Sequence, residues 1–177
     1  TSTGLSSGIT YYVSVTDANG CTTSATITIN EPAPLQSSIT GVDVSCHNAC
    51  NGSADLTVFG GTPGYTFSWD DPNNSSSEDI SALCAGTYAV TISDANGCIQ
   101  TENITINQPS PLSLSASSLN SNCGNSDGQV SVQVTGGTPN YSFQWDDPSA
   151  SSTSSVSNLL AGIYNVTVTD SNGCIEN

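Results

Sequence analysis

The stretch Leu83–Cys98, LCAGTYAVTISDANGC, decides the fold, because it occurs three times in 177 residues. One version ends at Cys21 (GITYYVSVTDANGC) and another at Cys174 (LLAGIYNVTVTDSNGC), so Tyr11, Tyr88 and Tyr164 correspond, as do Asp17, Asp94 and Asp170. In each copy apolar residues take every second position: Tyr11, Val13, Val15; Tyr88, Val90, Ile92; Tyr164, Val166, Val168. A period of two is a strand with one buried face. The strand runs into Asp-x-Asn-Gly, and Asn-Gly is the dipeptide that best tolerates the positive φ angles of a tight hairpin. A cysteine then opens the return strand.

Outward from this hairpin the chain divides into three copies of one unit. Residues 1–33 read as the C-terminal half of a module, 34–110 as a complete module, and 111–177 as a module lacking most of its last strand, so the chain reads as a window on a longer tandem array. Asn30-Glu31-Pro32-Ala33-Pro34 and Asn107-Gln108-Pro109-Ser110-Pro111 mark the boundaries. Two prolines in three residues favour a stiff, extended connector that holds modules end to end. Inside the middle module, Ala54, Leu56 and Val58 alternate in one strand, Gly60-Gly61-Thr62-Pro63 turns the chain, and Tyr65, Phe67 and Trp69 place three aromatics on one face of the next. The last module repeats this plan as Val130, Val132, Val134, then Gly136 to Pro139, then Tyr141, Phe143, Trp145. About seven short strands per module, with no helical pattern, predict an all-β protein of tandem Ig-like β-sandwich modules of about 76 residues.

Composition removes whole classes of function. There is no Lys and no Arg against fifteen Asp and Glu, a net charge of −15. Nucleic-acid binding needs cations to replace counterions on phosphate, and none are present. Schiff-base lysines, arginine phosphate clamps, attraction to anionic lipid and Lys–Asn isopeptide links fall on the same ground. No apolar run approaches the roughly 20 residues of a membrane-spanning helix. The single histidine, His47, has no second imidazole with which to share a metal, and the later module keeps neither it nor a match for Cys50, so it reads as an exposed loop residue. A nucleophile triad needs a positioned histidine, and the only one is absent from the other copies; the paired acids are sequence neighbours that recur in each copy like framework, so the chain is read as no enzyme.

Seven cysteines in a Ser-, Thr-, Gly- and Asn-rich chain point to an oxidising, extracellular setting. The offset between the second and third modules is 77 residues up to Cys46 and Cys123, and 76 from Gly52 and Gly128 onward. Cys46 then matches Cys123 and Cys98 matches Cys174, whereas Cys50 falls on Ser126 and Cys84 on Leu160. Cysteines kept together and lost together predict the bonds Cys46–Cys98, Cys123–Cys174 and Cys50–Cys84, with the partner of Cys21 before residue 1. A core below about 80 residues supplies only a few kcal/mol, so staples are expected.

Leu83-x-x-Gly86-x-Tyr88 resembles the tyrosine corner of Greek-key sandwiches, in which a Tyr hydroxyl bonds back to the upstream backbone; Tyr11, Tyr88 and Tyr164 are assigned to it. The first copy has one residue inserted before Tyr11. Asp70-Asp71 and Asp146-Asp147 end the aromatic strands in loops where oxygen ligands could gather Ca²⁺, against a framework reading as turn formers before proline. Asp17, Asp94 and Asp170 read as Asx-type acceptors in their own turns. No other cofactor is implied.

The combination of CHNACNG, GGTPGYTFSW, LCAGTYAVTISDANGC and the Pro-x-Pro boundary resembles the SprB repeat, found in tandem in very large surface adhesins of gliding Bacteroidota. The resemblance implies secretion by the type IX system, display on the cell surface, and movement by the gliding machinery so that the adhesin grips a substratum. It supplies no catalytic residues. Two expectations result. One is a stapled stalk or filament segment whose partners are neighbouring modules, like chains in a filament, and surface polysaccharide or substratum; the other is a Ca²⁺-dependent or glycan-binding sandwich. Differing loops (Asn73-Asn74-Ser75-Ser76 against Ser149-Ala150-Ser151-Ser152) favour the stalk.

Overall fold

The computed structural model describes residues 3–177, and all the regular structure in them is β-strand. The first copy is a hairpin of β1 (Thr10–Thr16) and β2 (Thr22–Thr28). The middle module contains β3 (Gln36–Val42), β4 (Gly52–Phe59), β5 (Thr66–Trp69), β6 (Ile80–Leu83), β7 (Gly86–Ser93) and β8 (Ile99–Ile106). The last contains β9 (Ser113–Leu119), β10 (Gly128–Thr135), β11 (Ser142–Trp145), β12 (Ser155–Leu159), β13 (Val166–Thr169) and β14 (Ile175–Glu176).

Each of these two modules is a pair of three-stranded antiparallel sheets. In the middle module they are β3-β4-β6 and β5-β7-β8; in the last, β9-β10-β12 and β11-β13-β14. In immunoglobulin order this is A-B-E packed on C-F-G, the constant-type sandwich without its D strand. The count is therefore six strands rather than about seven. The reason lies in residues 70–79, which lack period-two alternation and are folded around one carboxylate. Asp71, only 3% exposed, accepts hydrogen bonds from the Ser75 N–H (2.7 Å), the Asn73 N–H (3.1 Å) and the Ser75 hydroxyl (3.0 Å). A loop held this way offers no ladder to an extra strand.

The alternating residues fill the space between sheets. Trp69, Val90, Ile92 and Ile106 are almost wholly buried, with Ala54, Leu56, Ile80, Leu83 and Tyr88 around them. Val132, Trp145, Val156, Leu159, Val166 and Val168 form the corresponding core. Both indole N–H groups are satisfied, Trp69 by the Ser77 carbonyl (2.9 Å) and Trp145 by that of Thr153 (2.8 Å). In the first copy Val13 and Val15 correspond to Val90 and Ile92 but are 56% and 58% exposed, because no A-B-E sheet lies over that hairpin among the described residues.

Strand direction fixes which cysteines share an end of a module. Strand β3 runs from the upstream linker toward Cys46, and β8 runs alongside it, ending where the Val44 N–H donates to the Asn107 carbonyl (3.1 Å). Cys46 therefore sits at the downstream end of its module and Cys98, immediately before β8, at the upstream end.

Candidate functional site

Of the residues that the sequence singles out, Cys46, His47, Asp170 and Cys174 meet at the junction between the middle and last modules. Cys46 is bonded to Cys174, 128 residues away in sequence, with Cα atoms 5.7 Å apart. This corrects the expected Cys46–Cys98 and Cys123–Cys174 bonds: Cys98 and Cys123 are free thiols, as is Cys21. The physical reason is the length of β8. Its eight residues at about 3.3 Å each separate Cys98 from the Cys46 end by about 26 Å, whereas a disulfide tolerates Cα separations of at most about 7 Å. Cys46 does pair with a cysteine of the Asp-x-Asn-Gly-Cys turn, but with that of the next module, so the bond joins the downstream end of one module to the upstream end of its neighbour. Cys50 is bonded to Cys84 within the middle module.

The turn that presents Cys174 is built from backbone upward. Asp170 donates its N–H to the Cys174 carbonyl (3.0 Å), and the Gly173 N–H returns to the Asp170 carbonyl (3.1 Å). Only Gly173 has positive φ (83°), so this is a three-residue hairpin loop with a glycine bulge, not a two-residue turn with both Asn and Gly left-handed. Asp170 Oδ1 accepts the N–H groups of Asn172 and Cys174, both at 2.9 Å. Its Oδ2 accepts the Thr138 N–H (2.8 Å), which locks the hairpin to the Gly-Gly-Thr-Pro loop. Asp94 does the same with Asn96, Cys98 and Thr62 (2.9, 2.8 and 2.9 Å). These links to Thr62 and Thr138 join loops 32 residues apart in sequence, so local motif reading does not reveal them. Donors outweigh burial in both: the Thr62 N–H above all holds Asp94 below the usual carboxylate range, and for Asp170 burial pushes upward but Thr138, Cys174 and Asn172 together prevail.

The linker is fastened on both sides. Toward the middle module, His47 Nδ1 lies 3.2 Å from the Pro109 carbonyl, the Asn48 N–H donates to Gln108 Oε1 (2.8 Å), and the Asn107 N–H donates to Asp43 Oδ1 (2.7 Å). Toward the last module, the Gly137 N–H donates to the Ser110 carbonyl (2.9 Å). Gly136 beside it has φ +74°, and a Cβ there would collide with the Pro111 carbonyl oxygen, so glycine is required for the approach. Across the junction the Asn172 side-chain amide donates to both Thr138 Oγ1 (2.9 Å) and the Ser45 carbonyl (3.0 Å). His47 thus becomes a junction residue, a role invisible in a histidine with no partner in sequence.

The tyrosines take corner geometry. Tyr88 and Tyr164 donate to the carbonyls of Cys84 and Leu160, both at 3.0 Å and both four residues upstream. Tyr11 reaches Ser6 O (3.3 Å), five residues upstream, and accepts the Ser6 N–H (2.7 Å), as its inserted residue requires.

The paired aspartates diverge. Asp70 Oδ1 accepts the Ala89 N–H (2.7 Å) while Asp71 turns into its own loop. Asp146 takes the Asn165 N–H and side-chain amide (2.8 and 2.7 Å), and Asp147 takes Ser151 and Ser149. Asn165 holds Asp146 below the ordinary carboxylate range, and the backbone N–H of Ser151 does so for Asp147. No cluster of three His, Cys, Asp or Glu suited to a metal occurs among the described residues, and this geometry gives the calcium reading of Asp70, Asp71, Asp146 and Asp147 no support.

Fold and junction together define a class: tandem, six-stranded sandwich modules joined by a disulfide and a hydrogen-bonded linker. The SprB repeat family model matches residues 38–74 and 115–150. Two stretches of the chain are thus similar to the SprB repeat, which is a structural repeat of cell-surface proteins. Each match runs from the first strand to the Asp-organised loop, and their limits coincide on the internal offset. No curated protein matches the chain.

Proposed function

We propose that this chain is a stiff spacer, a segment of the stalk or filament of a large secreted bacterial surface adhesin that serves surface attachment and gliding motility. One observation carries the reading: the linker Asn107–Pro111 is hydrogen-bonded to the modules on both of its sides and bridged by the Cys46–Cys174 bond. A linker that only connects needs neither. The family supports a surface location, and disulfides fit an oxidising exterior. A net charge of −15 without cations keeps neighbouring chains apart and the stalk soluble. Adhesion is then the task of many weak contacts along the array or of a region beyond it. Electron micrographs of the purified native protein test the reading. Long thin filaments are expected; a compact globular particle would overturn it.

A further inference from the structure

The three free thiols are not scattered. On the internal offset Cys21 and Cys98 occupy the position of Cys174, and Cys123 that of Cys46, the two cysteines that are bonded across a junction. Their surroundings are already in the bonded arrangement. Asp17 Oδ1 and Asp94 Oδ1 hold Cys21 and Cys98 by their N–H groups at 2.8 Å, against 2.9 Å for Cys174. In the loop of Cys46 the Ser45 N–H donates to Asn51 Oδ1 (3.0 Å), and in that of Cys123 the Asn122 N–H donates to Asp127 Oδ1 (2.7 Å). Asn172 directs one amide hydrogen to Thr138 and the other to Ser45 of the preceding module; Asn96 makes the same bond to Thr62 Oγ1 (2.7 Å), which leaves its second hydrogen free for a carbonyl placed as Ser45 is.

We infer that Cys21, Cys98 and Cys123 are the half-staples of further junctions, and that the partner of each is another copy of this module. Cys98 and Cys21 each receive the downstream-end loop of a module lying before them. Cys123 bonds the Asp-x-Asn-Gly-Cys turn of a module lying after it. Each bond forms by exchange with a disulfide-bearing oxidant: two thiols lose two protons and two electrons, one S–S bond forms, and the oxidant's S–S bond is reduced to two thiols. The inference stands on the observed junction alone, and holds whether or not the array is a stalk.

The test lengthens the chain in register. Thr101 corresponds to Asn177, so residues 102–177 appended after Asn177 complete the last module and add one more. In the 177-residue chain, alkylation of the native protein labels Cys21, Cys98 and Cys123. In the lengthened chain Cys123 should lose its label, and non-reduced peptides cut before aspartate should show it joined to the appended copy of Cys174. The original Cys174, still joined to Cys46, reports in the same molecules that junctions form. A second form carrying Cys46→Ser leaves both copies of Cys174 open, and Cys123 should still choose the appended one. Cys123 remaining labelled, or joined to the Cys174 of its own module, would overturn the inference.

Discussion

Removing the junction disulfide with Cys46→Ser and Cys174→Ser should destabilise the last module far more than the middle one. While the middle module stays folded it anchors both the linker and Cys46. Unfolding of the last module then leaves a closed loop of about 64 residues, from the Ser110 linker to Cys174, and the chain-entropy relation gives about 4 kcal/mol for closing it. The chain carries one tryptophan per complete core, Trp69 at 2% and Trp145 at 4% exposure, so single-tryptophan forms report each module separately. In guanidinium chloride, with a slope of about 2 kcal/mol per molar for so small a unit, the Trp145 midpoint should fall by about 2 M on loss of the bond. The Trp69 midpoint should move by less than a quarter of that. A shift at Trp69 with none at Trp145 would mean that the bond acts inside the middle module, and would refute its role at the junction.

Acid should act through the hydrogen-bonded aspartates. Asp71, Asp94, Asp147 and Asp170 are all held below the ordinary value of 3.8, so their contribution is complete above about pH 4 and is lost as pH falls through their lower folded values; the thermal midpoint should be level from pH 7 to about 4.5 and drop below 4, and a decline beginning at pH 6 would contradict this. Ala150 has φ 49° where its counterpart Asn74 has 50°, and asparagine tolerates the left-handed region better, so Ala150→Asn should raise the stability read at Trp145 by about 1 kcal/mol. With no Lys or Arg there are no Lys or Arg ion pairs to weaken, and added salt acts mainly by screening repulsion; raising NaCl from about 10 mM to about 0.5 M should lift the thermal midpoint, and a fall would show that repulsion is not what the salt relieves.

Much of the fold was legible because a strand writes its period directly into sequence. The alternation at Tyr88, Val90 and Ile92 marks side chains that the structure buries to 8%, 1% and 0%. The expected count of about seven strands exceeds the six observed because the residues around Asp71 satisfy their backbone through a side chain, and such satisfaction carries no periodic signature. The disulfides show a different limit. In a tandem array a cysteine pair kept together looks the same whether its bond closes one copy or joins two, since both leave the same residues in every copy. The deciding signal was present but lay elsewhere: Ile104 and Ile106, continuing from Cys98, require a strand of about eight residues between that cysteine and the end of the module near Cys46. The contact of Asn172 across the junction and that of His47 with the linker had no signal at all, because each depends on a backbone carbonyl, Ser45 or Pro109, that any residue supplies.

A chain without cations has to find its electrostatic partners in the backbone, and this one does so at each element that shapes the junction. The carboxylates of Asp94 and Asp170 face three N–H groups apiece, so negative charge that repels neighbours at the surface is used inside to hold loops. Covalent closure then supplies what small cores and absent ion pairs do not. Its placement has a mechanical consequence. With a staple at every junction, the shortest covalent path through two modules enters at Cys98, follows β8, the linker and β9, and leaves at Cys123, about 25 residues that reach at most about 90 Å fully extended. Unstapled, two modules would release about 150 residues and more than about 500 Å. Bonds closed within modules would protect individual cores but leave the linkers as hinges. Bonds closed between modules limit how far the array can lengthen even if a sandwich opens, and that limit is what a spacer under tension requires.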